Sequence, residues 1–138
     1  MYIEFKIPGD PMGKQRPKFT HAGKYTRTYT PQKTVNYENW VKLCFAQEYP
    51  FRTFESQRLK VTIDAYFAIP KSFSKSKKQQ AEDSTISPTK KPDCDNIAKV
   101  ILDALNGIAY EDDKQVVQLQ VNKHYSEYPY VIVQIMDF

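Results

Sequence analysis

The chain has 138 residues, 41% hydrophobic and 26% charged, enough to bury one sizeable core and too few for two ordinary domains. Its net charge of +4 is unevenly spread: residues 1–91 hold 17 Lys or Arg against 8 acids, and residues 92–138 hold 3 against 8, so a surface suited to a polyanion adjoins a compact acidic cluster. No apolar run reaches the roughly 18 residues of a membrane span, residues 1–5 lack signal-peptide order, and Cys44 and Cys94 form no CxxC pair; the expectation is a cytoplasmic protein without membrane, disulfide framework or zinc site.

In chain order, Ile3, Phe5 and Ile7 alternate with Glu4 and Lys6, the period of a half-buried strand, which Pro8-Gly9-Asp10-Pro11 stops. Residues 12–29 interleave Lys14, Arg16, Lys18, Lys24 and Arg27 with Gly13, Pro17, Gly23 and the aromatics Phe19, Tyr25 and Tyr29, and read as a long basic loop. Thr30-Pro31 predicts a helix start, with the threonine hydroxyl as cap and proline in the first turn. Tyr37, Trp40, Val41, Cys44 and Phe45 then give one apolar face up to Tyr49-Pro50.

The alternation Leu59, Val61, Ile63, Ala65, Phe67, Ile69 predicts a central strand. Residues 71–91 carry Lys71, Lys75, Lys77, Lys78, Lys90 and Lys91 without apolar period and read as a mobile basic arm with a short helix over 74–82. After Pro92, Asp95 is placed to cap a helix to about Leu105, with Ile97, Ile101, Ala104 and Leu105 inward and Asn106-Gly107 as its left-handed stop. Val117, Leu119 and Val121, then Val131, Val133 and Ile135, predict two final strands as antiparallel neighbours. The sum is a single two-layer α+β domain, a mixed sheet of about four strands with two main helices.

The negative charge concentrates in residues 91–117. An extended lead-in would point Asp93 and Asp95 to one side, while Lys99 and Asp103 follow Asp95 at successive steps of four on one helix face. Asp112 and Asp113 come after the stop, and the spacing lets a turn return them towards the helix. Carboxylates gathered in this way repel one another and phosphate, and a hard divalent cation resolves both problems; magnesium prefers one or two carboxylates plus waters and substrate oxygens. Plainer roles also suit these residues singly: Asp95 as cap, Lys99 and Asp103 as a solvated ion pair, Asp112-Asp113 as a polar turn. A calcium-binding EF loop is excluded, because Ala98 and Ala104 stand where it needs Gly and Glu.

The pattern Lys-Pro-Asp93-x-Asp95-Asn96-x-x-Lys99, Asp103-Ala-Leu-Asn106-Gly107, Asp112-Asp113-x-Gln115-Val116 closely resembles the signature of the RusA family of Holliday-junction resolvases. Gly9-x-Pro11, Lys14-x-Arg16-Pro17 and Tyr29-Thr30-Pro31 are similar to the family's opening, so the resemblance runs nearly the length of the chain. It implies a RusA-like fold and a homodimer, of bacterial or phage (including prophage) origin and nucleoid-associated, that cuts four-way junctions by paired symmetric nicks with Mg2+, for which Mn2+ can substitute, in DNA recombination and repair. Carried over residue by residue, it implies Asp93, Asp95 and Asp113 as essential acids and metal ligands, Lys99 as the catalytic lysine, Asp112 as an additional candidate ligand and Asp103 as mainly structural.

On that reading Lys14, Arg16, Lys18, Lys24 and Arg27 hold DNA phosphates, and Phe19, Tyr25 or Tyr29 support a distorted junction. Lys71, Lys75, Lys77 and Lys78 form a second candidate strip, and Lys90 and Lys91 stand nearest the scissile phosphate. Two rivals remain at this level: a non-catalytic protein that binds branched DNA, and a nuclease that prefers flaps or forks.

Overall fold

A computed structural model describes residues 1–138, the side chain of residue 22 excepted. The alternating segments form β1 (Tyr2–Pro8), β4 (Leu59–Ala68), β5 (Val116–Ser126) and β6 (Tyr130–Asp137), hydrogen-bonded in the order β1-β6-β4-β5. β6 runs antiparallel to both β1 and β4, while β4 and β5 run parallel. The sheet is therefore mixed, and the two-layer α+β expectation holds.

The two final strands are not neighbours; both border β4. A parallel β4–β5 pair needs a long crossover, supplied here by α2 (Lys75–Glu82) and α3 (Cys94–Leu105). β5 is thereby an edge strand, and its leading apolar residues Val117 and Leu119 remain exposed.

The core lies on one sheet face. Ile3, Phe5 and Ile7 of β1, the alternate residues of β4, and Val131, Val133 and Ile135 of β6 are buried there. α1 (Gln32–Glu48) brings Tyr37, Val41, Cys44 and Phe45 against them, and α3 brings Ile97, Val100, Ile101, Ala104 and Leu105. Phe5 and Phe45 meet edge to face with ring centres 5.5 Å apart. Lys60, Thr62, Asp64 and Tyr66 on the opposite face of β4 stay half-exposed.

Three local expectations change. α1 begins without a side-chain cap: the Pro31 carbonyl accepts from the amides of Thr34 and Val35, so the Thr30 hydroxyl is not used. Trp40 sits at the margin of the apolar face, where its indole donates to the Pro8 carbonyl at 2.8 Å. The basic arm is docked at its start: Ser74 caps α2, Ala81 is buried, and Phe73 packs edge-on to Tyr125 of β5.

The basic loop is also a correction. Residues 18–29 form a hairpin, β2 (Lys18–Ala22) and β3 (Tyr25–Tyr29), in a two-stranded sheet of its own. Threonines and aromatics supply strand preference, and Gly23 at φ +63° makes the turn. The charge density concealed this, because cations replaced the apolar alternation that marks a buried strand.

Candidate active site

α3 carries the site. Its N-cap is Asp93, whose carboxylate accepts from the Asn96 amide at 3.2 Å; Asp95 lies inside the first turn and is not the cap expected from sequence. The acids therefore do not share an extended lead-in; both belong to the helix start. Desolvation pushes the Asp93 carboxyl up, but hydrogen bonds, that from the Asn96 amide foremost, outweigh it and leave it below the usual carboxylate range. The Cys94 thiol, 3.9 Å from the Val121 carbonyl, joins this helix start to β5.

A strap from the chain's beginning lies across the same helix start. The Lys14 amide donates to the Asn96 carbonyl at 3.0 Å. Gly13 approaches so closely that an added Cβ would stand 2.9 Å from Cβ of Pro92 and 3.1 Å from Cβ of Asn96. Strap and helix enclose a cleft of about 590 Å³ whose rim carries Arg16, Lys91 and Asp93.

One turn further along, Lys99 Nζ lies 3.3 Å from Asp103 Oδ1, the pair that the spacing of four predicts. The other oxygen, Asp103 Oδ2, lies 3.3 Å from Lys14 Nζ, which is also 3.3 Å from Glu38 Oε2 of α1. Lys14 is only 21% exposed at its side chain and is paired with both acids.

After α3, Gly107 at φ +74° turns the chain, and buried Tyr110 donates to the Leu102 carbonyl at 2.8 Å. Asp112 opens a single 3-10 turn. Its carboxylate accepts from the Lys114 amide at 2.9 Å, its own amide donates to Gln115 Oε1 at 3.0 Å, and the Gln115 amide group donates to the carbonyls of Glu55 and Gln57. The Asp113 amide donates to Asn106 Oδ1 at 3.2 Å.

This turn carries the second acid pair back alongside α3. Desolvation pushes the Asp113 carboxyl above its ordinary value, and the neighbouring Asp112 and Asp103 add to the rise while Lys99 opposes it. Asp112 moves the other way, held low chiefly by the Lys114 amide. Two carboxylates competing for one position favour a shared proton or a cation in its place.

The site thus has an acid pair at each end of α3, with Lys99 and Asp103 between them. Among the described residues, no three His, Cys, Asp or Glu side chains converge in a metal-holding arrangement. Each pair offers only hard carboxylate oxygens, the donor type that magnesium takes, and the raised carboxyl of Asp113 marks a place where a cation would relieve crowding.

The other cations divide by location. Lys18, Lys24 and Arg27 are exposed on the hairpin. Lys90 Nζ stands 5.9 Å from the Phe67 ring centre. Lys71 and Lys78 line a separate cleft of about 240 Å³ with Glu82 and Glu127, Lys77 sits 4.2 Å over the Phe73 ring, and Lys75 is exposed on α2; none of these four lines the cleft beside Asp93. Sequence reasoning missed the supporting roles of Glu38, Asn106 and Gln115. Gln115 had a signal, three residues after Asp112 in capping-box spacing; Glu38, on another helix, had none.

Two comparisons bear on this arrangement. The family model described as Endodeoxyribonuclease RusA matches residues 8–136. The chain is also 37% identical over 137 residues to uncharacterized protein YqaN of Bacillus subtilis (strain 168), a match covering 98% of this chain and 96% of that one.

Proposed function

The chain belongs to the RusA endodeoxyribonuclease family, and from that premise we propose that it is a magnesium-dependent endonuclease that resolves four-way DNA junctions as a homodimer. The observation that carries the reading is the placement of Asp93-Asp95 and Asp112-Asp113 at the two ends of α3 with Lys99 between them.

Mg2+ or Mn2+ would be offered carboxylate oxygens by Asp93 and Asp95 at one end of α3 and by Asp113, with Asp112 as a further donor, at the other. The bound cation supplies an activated water and neutralises phosphoryl charge. Lys99, with its side chain 60% exposed and its ammonium paired with Asp103, would meet the charge that develops on the phosphate or leaving oxygen. Arg16 and Lys91, on the cleft rim beside Asp93, hold the strand that enters. A two-fold dimer matches the near two-fold symmetry of a junction and sets equivalent sites on two opposed strands.

The test incubates the protein with a mobile four-way junction and with a linear duplex of the same sequence, with and without Mg2+, and maps every cut. Paired symmetric nicks confined to the junction support the proposal. Cutting of flaps or forks in preference assigns a different branched substrate, and metal-independent binding without product assigns a non-catalytic role.

A further inference from the structure

Every described side chain of the hairpin is exposed. β2 and β3 make their main contacts with each other, and the whole of β3 is exposed. Their register divides the side chains into two faces, because directly opposed residues of an antiparallel pair share a face. Lys18 opposes Tyr29 and Thr20 opposes Arg27, with Tyr25 one step further along the same face. The other face pairs Phe19 with Thr28 and His21 with Thr26. Both tyrosines and both strand cations therefore lie together, and Tyr25 is 75% exposed and Tyr29 49%.

Large rings held on solvent-exposed backbone contribute little to folding, so their grouping calls for a ligand. Alternating cations and aromatic faces suit a polyanion that also offers flat π surfaces. A duplex hides those surfaces within its stack, whereas bases unpaired or unstacked at a branch present them. The hairpin also starts in the right place. Its stem, Gly13 to Arg16, is fastened to the start of α3 beside Asp93, and five residues per strand give a reach of about 17 Å from the cleft.

We propose that the Lys18, Tyr25, Arg27 and Tyr29 face of the hairpin recognises the DNA branch point, with the tyrosines stacking on bases displaced there and the cations holding flanking phosphates. The proposal rests on branched DNA as the substrate and adds the element that selects the branch.

The experiment measures binding of the full chain, without metal, to a four-way junction carrying 2-aminopurine beside the crossover and to a linear duplex. Wild-type protein is expected to raise the 2-aminopurine fluorescence and to prefer the junction. Tyr25→Ala with Tyr29→Ala should abolish the rise and weaken junction binding about 10-fold or more, the scale of a base–aromatic stack, while duplex binding changes less than about twofold. Tyr25→Phe with Tyr29→Phe should retain both properties, and His21→Ala, on the other face, should change neither. Intact fluorescence rise and selectivity in the double alanine variant overturn the proposal, as does an equal loss from His21→Ala. Junction binding with the rise, but no nicking in Mg2+, leaves this proposal standing and removes the nuclease reading. Nicking without any rise removes this proposal alone.

Discussion

The two acid pairs are four of a kind in sequence and unlike in setting. Asp93 and Asp95 belong to the opening turn of a helix whose apolar face is buried, so packing of that face fixes their backbone. Asp112 and Asp113 stand on a three-residue turn held by side-chain amides, those of Asn106 and Gln115. The contrast continues in their chemistry. Helix-start amides stabilise the charged form of Asp93, whereas desolvation, with crowding by Asp112 and Asp103, disfavours the charged form of Asp113. A site built this way holds Asp93 as an anion at the helix start and leaves, at the turn, an acid whose charge a cation would relieve.

The strongest way to break that comparison is to neutralise one acid from each pair. Asp95→Asn should lower Mg2+-dependent nicking by about a thousandfold, the scale of losing a group that stabilises transition-state charge, while junction binding stays near that of wild type. Asp113→Asn should do the same if both pairs serve one cation site. Gel-resolved single-turnover cleavage checks both; full activity in either variant removes that pair from the chemistry.

The next effect concerns what stands between the pairs. Lys14→Met leaves Asp103 free to turn wholly towards Lys99, and the misplacement should slow nicking by about 10- to 100-fold. Lys14→Arg, which can keep both ion pairs, should restore most of it. Because Lys14 already faces Glu38 and Asp103, the slope of junction affinity against salt should not move. A slope shallower by about one would return Lys14 to the DNA phosphates.

Much of this was legible in the sequence, and its limits have physical causes. Apolar alternation announced β1, β4 and β6 because each buries one face, and the four-residue spacing announced Lys99 with Asp103 because helix geometry makes it local. Strand order was not legible: Val117 and Leu119 alternate like buried residues and yet lie exposed on an edge, so β5 pairs with β4 where β6 was expected. The partners of Lys14 were not legible for a related reason. Charge in sequence does not reveal which acid from another element will face it, and Glu38 comes from α1, 24 residues away.

A smaller effect separates the pairs by their backbone supports. Gly13 touches only the first, where an alanine Cβ would press on Pro92 and Asn96. Gly13→Ala should cost about 1–3 kcal/mol, the usual range for overpacking, seen as a lower urea midpoint. Hydrogen exchange at the start of α3 should rise while the amides of Asp113 and Gln115 keep their protection. Equal loss at both places would make the two supports a single unit.

The smallest effect tests the charge contrast directly, in metal-free protein. Asp113 binds its proton more tightly folded than unfolded, so its contribution to stability is present below its ordinary value of 3.8 and is lost as pH rises through the raised one. Asp112 has the opposite sign: its contribution is present above 3.8 and is lost as pH falls through the lowered value. At pH 7, Asp113→Asn should therefore raise the melting temperature and Asp112→Asn lower it, each by about 1–2 °C for half-buried positions. Both differences should close below pH 3.8. Adding Mg2+ should reverse the first, because a cation that binds the folded wild type stabilises it by mass action and has lost a ligand in the variant. Variants of adjacent aspartates shifting in the same direction at pH 7 would mean that the turn, and not the crowding of three carboxylates, sets the charge of Asp113.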